Sequence, residues 1–209
     1  MYLPDAFKLT DTDTIRAVMT DNPFANFVTN GPEGPEVSHL PLVIRDEGDS
    51  VVLYGHFARA NPHWKMLDGA SPALAVFSGP HGYISPSYYA TKQETGKVVP
   101  TWNYVVVHAR GIPQQLDHGP NSRDAIDQLT DSMEQPRDEP WKVSDAPDTY
   151  TETMMRGIVA FRMVVDTLKA KAKLSQNKSA ADIAGAQEGL ARDGLDEMAH
   201  WMRNVVPKP

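Results

Sequence analysis

The alternation of hydrophobic and polar residues predicts a largely β structure that follows one early helix. Residues 11–21 carry Ile15, Val18 and Met19 at helical spacing and end at Asn22-Pro23, which predicts a short first helix. Strand-forming segments separated by Gly- and Asp-rich turns follow at 24–29, 37–44 and 51–56. We expect these three strands to form an antiparallel meander.

The rest of the chain repeats this mixture of strands and helices. The pattern predicts a short helix at 61–67, strands at 73–77, 101–109 and 155–165, a helix at 121–135, and helical structure at 179–203 interrupted at Gly189 and Gly194. Turn-forming residues predict an irregular surface segment at 78–89 and a loop at 135–148. Because strands and helices do not alternate as in a parallel sheet, the order favours an antiparallel β-barrel or an α+β fold. We expect one domain, 1–209, with 179–209 as a C-terminal helical extension.

Composition and charge narrow the classes of function. The 209 residues include no cysteine, which excludes thiol catalysis and cysteine-ligated metals. The net charge of -7 is unfavourable for a protein whose main task is binding nucleic acid. The N-terminus lacks a secretory pattern and the apolar runs are only strand-sized, so we expect a cytoplasmic protein without a membrane span.

Motifs with strict geometry are missing from the sequence. It contains no phosphate-binding glycine loop, dinucleotide fingerprint, His-Glu-x-x-His motif or nucleophile elbow. None of the seven histidines forms an i, i+4 pair on a predicted helix, so we expect no metal site.

Four clusters carry the polar chemistry that remains. They are Ser38-His39-Leu40-Pro41-Leu42, the segment 55–62, the segments 79–89 and 99–104, and Lys173-Leu174-Ser175-Gln176-Asn177-Lys178. In this order they resemble the PaiB-type family of FMN-binding negative transcriptional regulators, over nearly the whole chain. The chain departs from that family at Tyr88, where tryptophan is common, and at Ala172, where an aromatic residue is common.

The resemblance implies a fold, a cofactor and an assembly. The expected fold is a mainly β, α+β antiparallel split β-barrel with peripheral helices, and the expected assembly is a homodimer that binds FMN at the subunit interface. The implied cofactor-binding residues are His39, Gly55, His56, Arg59, Asn61, Thr101, Trp102, Asn103, Tyr104, Lys173, Ser175, Gln176 and Asn177.

The residue chemistry is consistent with such a site, although each position has a structural alternative. Arg59 precedes the helix start at Asn61-Pro62, where a guanidinium and free N–H groups would favour a phosphate; the alternative is an exposed surface arginine. Lys173 heads a run of hydrogen-bonding side chains that suits a phosphate, or else it lies at a strand end before a helix cap. Lys171 lies on the same face as Lys173, and only one of the two lysines needs to contact the cofactor.

Residues 101–104 alternate polar and aromatic side chains, so Thr101 and Asn103 share one strand face while Trp102 and Tyr104 share the other. Such a strand suits either a flavin edge or an aromatic ladder that only stabilises the sheet. His39, next to Pro41, suits an edge strand beside a ring or a purely structural role. The phenols of 83–89 suit either flavin contact or a dimer contact.

Three functions are compatible with these residues. The first is FMN binding in transcriptional regulation, although the charge does not support DNA binding by this chain. The second is an FMN-dependent oxidoreductase acting on a small molecule, for which no catalytic acid or base is identified. The third is a sensor of haem or another flat ligand, with His56, His81 or His108 as a possible axial ligand.

Overall fold

The structure is a computed structural model that describes residues 1–204. Its helices are α1 (Thr12–Asp21), α2 (Ala90–Thr95), α3 (Pro120–Glu134), α4 (Asp148–Arg156), α5 (Ala180–Arg192) and α6 (Asp196–Asn204). Its strands are β1 (Lys8–Leu9), β2 (Phe24–Gly31), β3 (Gly34–Pro41), β4 (Val43–Glu47), β5 (Ser50–Ala58), β6 (Ala73–Ile84), β7 (Thr101–Gln115) and β8 (Ile158–Lys173). None of the helices in the described part of the chain has the length and apolar character needed to span a membrane. The last five residues of the predicted C-terminal extension, 205–209, lie outside the described residues.

The strands form an antiparallel sheet in the order β3-β2-β6-β7-β8-β5-β4, and β1 pairs with β8. The predicted meander is wrong because the segment 37–44 is two strands rather than one. The amide of Leu42 donates to the carbonyl of Pro23 (2.9 Å), which separates β3 from β4. As a result, β3 pairs with β2 and β4 pairs with β5, giving two hairpins.

Strand β6 is longer than the sequence predicted. Residues 78–84 belong to it, with His81 and Tyr83 exposed and Gly82 and Ile84 buried, so the irregular surface segment begins only at Ser85. The glycines that suggested turns serve close packing instead: a Cβ added at Gly82 would lie 3.0 Å from a methyl of Leu190. Periodicity alone does not separate a turn glycine from a glycine that makes room for a neighbour.

The helical predictions needed three corrections. Residues 155 and 156 end helix α4 rather than begin a strand, and helix α2 was not predicted. Helix α5 continues through Gly189, where an added Cβ would collide with the ring of Tyr88, whereas the predicted break at Gly194 (φ +79°) is confirmed.

Tertiary contacts divide the chain into two compact units. The first unit comprises 1–18, 78–107 and the chain from 169 onward, and the second comprises 19–77 and 108–168. The expectation of one domain stays a prediction.

Each unit has its own apolar core. In the second unit, the rings of Phe27, Phe57 and Phe161 pack with centroids 4.9 to 5.9 Å apart. In the first unit, the buried core includes Leu174 and Leu190, together with Met198 and Met202 from helix α6. Burial of these apolar side chains is the main stabilising contribution in both units.

Candidate functional site

Lys173 of the first unit is a half-buried cation whose contacts are all with neutral oxygens. Its Nζ donates to the hydroxyl of Thr101 and to the main-chain carbonyl of Trp102 (2.6 Å). Among residues 1–204, no carboxylate lies within ion-pair distance of this ammonium. Burial, together with the positive charges of Lys171 and Lys178, lowers the pKa of Lys173. The charge is therefore uncompensated within the described chain.

An exposed aromatic surface includes Trp102, the residue whose carbonyl accepts from Lys173. Trp102 is 52% exposed, although most tryptophan rings are largely buried. Its ring lies 5.7 Å from that of His81 and 6.1 Å from that of Tyr83, measured between centroids. His81 and Tyr83 are two positions apart on β6 and therefore share a strand face. We call Trp102, His81 and Tyr83 the aromatic surface.

The turn after Lys173 is held by its own side chains. Ser175 adopts a left-handed backbone conformation (φ 67°), which is unusual for a residue other than glycine. Both ends of the Gln176 amide are used locally: Oε1 accepts from the amide of Leu174 (2.7 Å) and Nε2 donates to the carbonyl of Ala172 (2.5 Å). Three residues of this turn were predicted to contact the cofactor. Ser175 and Gln176 stabilise the backbone of the turn instead, while the side chain of Asn177 is exposed to solvent.

Asn103 is fully buried, facing away from the aromatic surface. Its Nδ2 donates to the hydroxyl of Ser175 (3.0 Å), and that hydroxyl also lies 3.2 Å from Oδ1. The predicted alternation along 101–104 is therefore present, because Asn103 points inward while Trp102 points outward. The paired Asn103 and Ser175 side chains connect β7 to the turn that follows β8.

Lys171 is buried and enclosed by aromatic rings, so a ligand cannot reach it as it can reach the half-buried Lys173. It is only 5% exposed, and its ammonium lies 5.2 to 5.9 Å from the ring centroids of Tyr2, Phe7 and Tyr104. Such cation–π contacts stabilise a buried ammonium without a carboxylate. Tyr104, predicted as a cofactor contact, therefore forms part of the enclosure of Lys171.

In the second unit, Arg59 bonds to the junction between α4 and β8. Its Nε donates to the carbonyl of Arg156 (2.8 Å) and its Nη2 donates to that of Ile158 (2.9 Å). The guanidinium also lies 5.9 Å from the ring centroid of Trp64. A cation at the last carbonyls of a helix is favourable. Arg59 is exposed, and within the described residues its guanidinium has N–H groups beyond those two contacts that could donate to an anion.

The helix start after Arg59 is already satisfied internally. The element there is a five-residue 3-10 helix, Pro62–Met66, and the side chain of Asn61 accepts from the amide of His63 (3.0 Å). Asn61 also donates to the hydroxyl of Ser38 (3.0 Å). Both nitrogens of the buried His63 ring are paired, with Ser38 (2.8 Å) and Thr29 (2.9 Å). Asn61 therefore belongs to a buried structural network.

The other predicted residues of the second unit have separate environments. His39 is exposed, with Nδ1 at 2.6 Å from Oδ1 of Asn26. Gly55 is buried, and an added Cβ would lie 2.5 Å from a methyl of Leu42, so packing accounts for the glycine. His56 lines a cavity, and its buried Nδ1 has no hydrogen-bond partner within the described part of the chain.

The structure thus assembles only part of the predicted set around one point. Thr101, Trp102 and Lys173 meet in the first unit, whereas Arg59 lies in the second unit. His81 and Tyr83 are not among the implied cofactor-binding residues, although the sequence offers Tyr83 as a flavin or dimer contact and His81 as a haem ligand. Extending the strand pattern beyond Phe77 would have placed both residues on one face but on the buried one, because the alternation that buries 73, 75 and 77 shifts by one position before His81. Among residues 1–204, no group of three or more His, Asp or Glu side chains is arranged to hold a metal ion.

Comparisons with known proteins identify relatives along the whole chain. Residues 1–167 match the family described as "Putative FMN-binding domain". The chain is 32% identical over 211 residues to the protease synthase and sporulation protein PAI 2 of Bacillus subtilis (strain 168), covering 100% of this chain and 99% of that protein.

Solved structures with the same fold include flavin-binding proteins. The FAD- and haem-binding protein of Mycobacterium smegmatis superposes with a TM-score of 0.60 at 15% identity, over 85% of this chain and 78% of that chain. A flavocytochrome of Azotobacter vinelandii superposes with a TM-score of 0.56 at 15% identity, over 85% of this chain and 75% of that chain. At this identity the similarity concerns the fold alone, and it confirms the predicted fold class.

Proposed function

Because the chain belongs to the FMN-binding domain family, as its four sequence clusters predicted, we propose that it binds FMN at Lys173 and the adjoining aromatic surface. The observation that carries this proposal is the uncompensated ammonium of Lys173, which is bonded to the main-chain carbonyl of Trp102, a residue whose ring is exposed. FMN combines a phosphate dianion with a flat apolar ring system, so its site needs a cation and an aromatic face.

The proposed phosphate contact is the ammonium of Lys173. A phosphate oxygen would supply the negative partner that the described chain does not provide. It would also offset the burial and like-charge repulsion that lower the pKa of this lysine. Thr101 adds a hydroxyl beside the ammonium, suited to a phosphate oxygen or a ribityl hydroxyl.

The proposed ring contact is the aromatic surface. The exposed Trp102 ring offers a flat apolar face, and flavin rings stack on such faces. His81 and Tyr83 enlarge this surface on the neighbouring strand.

The unusual backbone at Ser175 supports a functional turn. A left-handed conformation at a residue other than glycine costs about 1 kcal/mol or more and is frequent at ligand sites. Here the strained residue lies two positions after Lys173, and its side chain is bonded to Asn103. The turn therefore fixes where β8 ends and, with it, the position of Lys173.

For the biological role we propose a homodimer that acts in regulation. The exposed Trp102 and Tyr83 rings are residue types favoured at protein interfaces, which supports association of two copies near the flavin. The relative from Bacillus subtilis is named for protease synthesis and sporulation, which supports a regulatory role.

The second candidate is an FMN-dependent oxidoreductase acting on a small molecule. The net charge of -7 favours it, because this charge weakens nonspecific DNA binding. In either case, FMN would carry the redox chemistry and the protein would orient it.

Titration of the purified, flavin-free protein with FMN tests the proposal, with haem as the comparison ligand. We expect saturable quenching of flavin fluorescence at one FMN per chain and a dimer by light scattering. NAD(P)H oxidation by the loaded protein would favour the oxidoreductase, and salt-resistant operator binding would favour the regulator. A folded protein that takes up no FMN would refute the proposal.

A further inference from the structure

An apolar cavity of about 190 Å³ opens at the surface of the second unit. Residues of strands β5 and β8, of helices α3 and α4, and of the segment between these helices line it, and none of them belongs to the surface proposed for FMN. The lining includes Ile126, Trp141, Ala146, Tyr150 and Met154. No Asp, Glu, Lys or Arg residue of the described chain lines the cavity.

The polar groups of the lining are largely occupied within the protein. The hydroxyls of Thr130 and Thr151 donate to carbonyls one turn earlier in the chain, at Ile126 (2.9 Å) and Pro147 (3.2 Å). The Nδ1 atom of His56 is buried and so is closed to a ligand. Because a polar group that loses water without gaining a hydrogen bond is costly, the part of a ligand that enters this cavity must be apolar.

Three large apolar side chains around the cavity are exposed to solvent. Trp141, Tyr150 and Met154 are 45%, 57% and 50% exposed. Single exposed apolar residues are common, but a group of them around one cavity marks an interaction site. Tryptophan, tyrosine and methionine are also enriched at protein interfaces. The cavity and its entrance therefore fit an apolar side chain that a partner protein presents.

The chain around the cavity carries the negative charge of the protein. Residues 117–152, which we call the acidic segment, contain ten Asp or Glu residues and three Lys or Arg residues. The rest of the chain is balanced, so the acidic segment alone accounts for the net charge of -7. Seven of the eleven residues that line the cavity belong to this segment, so the charge and the cavity lie in the same part of the molecule.

Several carboxylates of the acidic segment are available to a cationic partner. Five of them are exposed and have no ion-pair partner within the part of the chain that the structure describes: Asp131, Asp138, Glu139, Asp148 and Glu152. Each is at most three positions along the chain from a residue that lines the cavity. Single exposed ion pairs contribute little to affinity, but a charged surface speeds association with a partner of opposite charge and selects against other partners.

This charge decides among the classes of occupant. A second copy of the chain would bring its own acidic segment to the contact and be repelled, as would nucleic acid or an anionic lipid surface. A segment rich in lysine and arginine would be attracted. An apolar cavity of about 150 Å³ is sufficient to hold benzene, so this cavity has room for the side chain of a phenylalanine or a leucine.

We propose that the cavity and the acidic segment form a docking surface for a basic, amphipathic segment of a partner protein. An apolar side chain of that partner lies in the cavity, and its lysine or arginine side chains face the carboxylates, as when an amphipathic helix binds a groove. The docking surface shares no residue with the surface proposed for FMN, so this inference goes beyond flavin binding and does not depend on it.

Two synthetic helical peptides of about 14 residues, or four helical turns, test the proposal on the unmodified protein. One peptide has leucine along one face and lysine elsewhere, and the other has glutamate in place of each lysine. By fluorescence anisotropy we expect one lysine peptide to bind per chain, with an affinity that falls as the salt concentration rises, and no binding of the glutamate peptide. Equal affinity for the two peptides, or no saturable binding of the lysine peptide, would overturn the proposal.

A variant that fills the cavity tests the apolar contact. Ala146→Phe adds a ring at a half-buried lining position and should weaken binding of the lysine peptide about tenfold or more, because the apolar side chain of the peptide loses its place. Ser144→Phe adds the same ring at an exposed position outside the lining and should leave the affinity unchanged. Unchanged affinity in folded Ala146→Phe protein would place the peptide elsewhere and refute the docking surface.

A second pair of variants tests whether the acidic segment, rather than the net charge of the chain, attracts the peptide. Asp138→Asn combined with Glu139→Gln removes two unpaired carboxylates beside Trp141, and should weaken binding several-fold and reduce its salt dependence. Glu33→Gln combined with Asp49→Asn removes the same charge from exposed positions in two other turns and should bind the peptide normally. Equal weakening in the two double variants would refute the docking surface.

The flavin-loaded protein separates this proposal from that for FMN. We expect the same affinity for the lysine peptide with and without saturating FMN. If FMN displaced the peptide, the two surfaces would overlap and the separate docking surface would be refuted. If the protein bound the peptide but not FMN, only the proposed function would fail.

Discussion

The Nζ atom of Lys173 lies 2.6 Å from the main-chain carbonyl oxygen of Trp102. The contact joins the end of β8 to the start of β7 and holds a cation at the main chain of a residue whose indole is exposed. Neither that carbonyl nor the Thr101 hydroxyl neutralises the ammonium, so the pair leaves a positive charge available to a bound anion.

Replacement of Lys173 tests that charge directly. Lys173→Gln is expected to weaken FMN binding by about 10- to 100-fold, since hydrogen bonds to charged groups contribute about 1.5 to 3 kcal/mol. Lys169→Gln, at an exposed position of the same strand, is the matched control and should bind FMN normally. Fluorescence titration measures both affinities, and equal values would remove Lys173 from the site.

The pH dependence of FMN affinity should report the ionisation of Lys173. Burial and neighbouring lysines lower its pKa, so affinity should fall as the pH rises through that lowered value, where the ammonium loses its proton. Affinity should also fall below about pH 6, where the phosphate loses a negative charge. In Lys173→Arg the guanidinium stays charged, so the decline at alkaline pH should disappear. An unchanged alkaline decline in this variant would assign it to another group.

The aromatic surface predicts a smaller effect on affinity. Trp102→Ala should weaken FMN binding by about 2- to 10-fold and reduce the quenching of flavin fluorescence, because aromatic pairs contribute about 0.5 to 1.5 kcal/mol beyond area burial. Trp141→Ala removes another exposed tryptophan outside the proposed FMN surface and serves as the control. Equal FMN affinity and equal fluorescence quenching in the two variants would contradict the contact proposed between Trp102 and the flavin ring.

Arg59 is expected to affect the stability of the fold. Arg59→Ala removes two hydrogen bonds to the junction after α4, which should lower the free energy of unfolding by about 1 kcal/mol. Arg59→Lys should also lose the paired carbonyl contacts. Chemical denaturation measures the change, and an unchanged free energy of unfolding in Arg59→Ala would contradict the prediction.

The lowered pKa of the buried His63 should make the stability of the protein depend on pH. Burial lowers its pKa, with a smaller opposing effect of Glu36, so below about pH 6.5 the unfolded chain binds a proton more readily than the folded chain. Stability should therefore fall as the pH is lowered from about 7 to about 5. Urea denaturation of wild type and His63→Gln over this range should give a smaller slope for the variant. Equal slopes would mean that His63 does not contribute to the dependence.

Local patterns predicted several elements of the fold. Helical spacing indicated α1 and α3, and strand composition located β2, β5 and the starts of β6 and β7. The predictions failed where contacts with residues distant in the sequence determined the conformation of a glycine. Gly82 and Gly189 suggested breaks in the chain, but each leaves space for a neighbouring side chain inside a regular element.

In the candidate site, too, some features could be predicted from the sequence and others depend on tertiary contacts. The family resemblance implied Lys173, Thr101 and Trp102 as cofactor contacts, and the structure brings them together. The sequence did not distinguish Lys173 from Lys171, because the enclosure of Lys171 by Tyr2, Phe7 and Tyr104 joins distant parts of the chain. Nor did the sequence show that the side chain of Asn61 is hydrogen-bonded to the hydroxyl of Ser38 and the amide of His63.

The sequence by itself determined the family, the antiparallel fold class and the polar side chains that could bind a ligand, because these depend on residue type and on the order of short sequence patterns. The tertiary structure decided which of those groups remain available to a ligand. Availability depends on hydrogen-bond partners and burial set by residues far away in the chain, as in the pairing of Asn103 with Ser175 across 72 positions. Local sequence therefore specifies the donors and acceptors of this protein, while long-range packing determines which of them the fold has already satisfied.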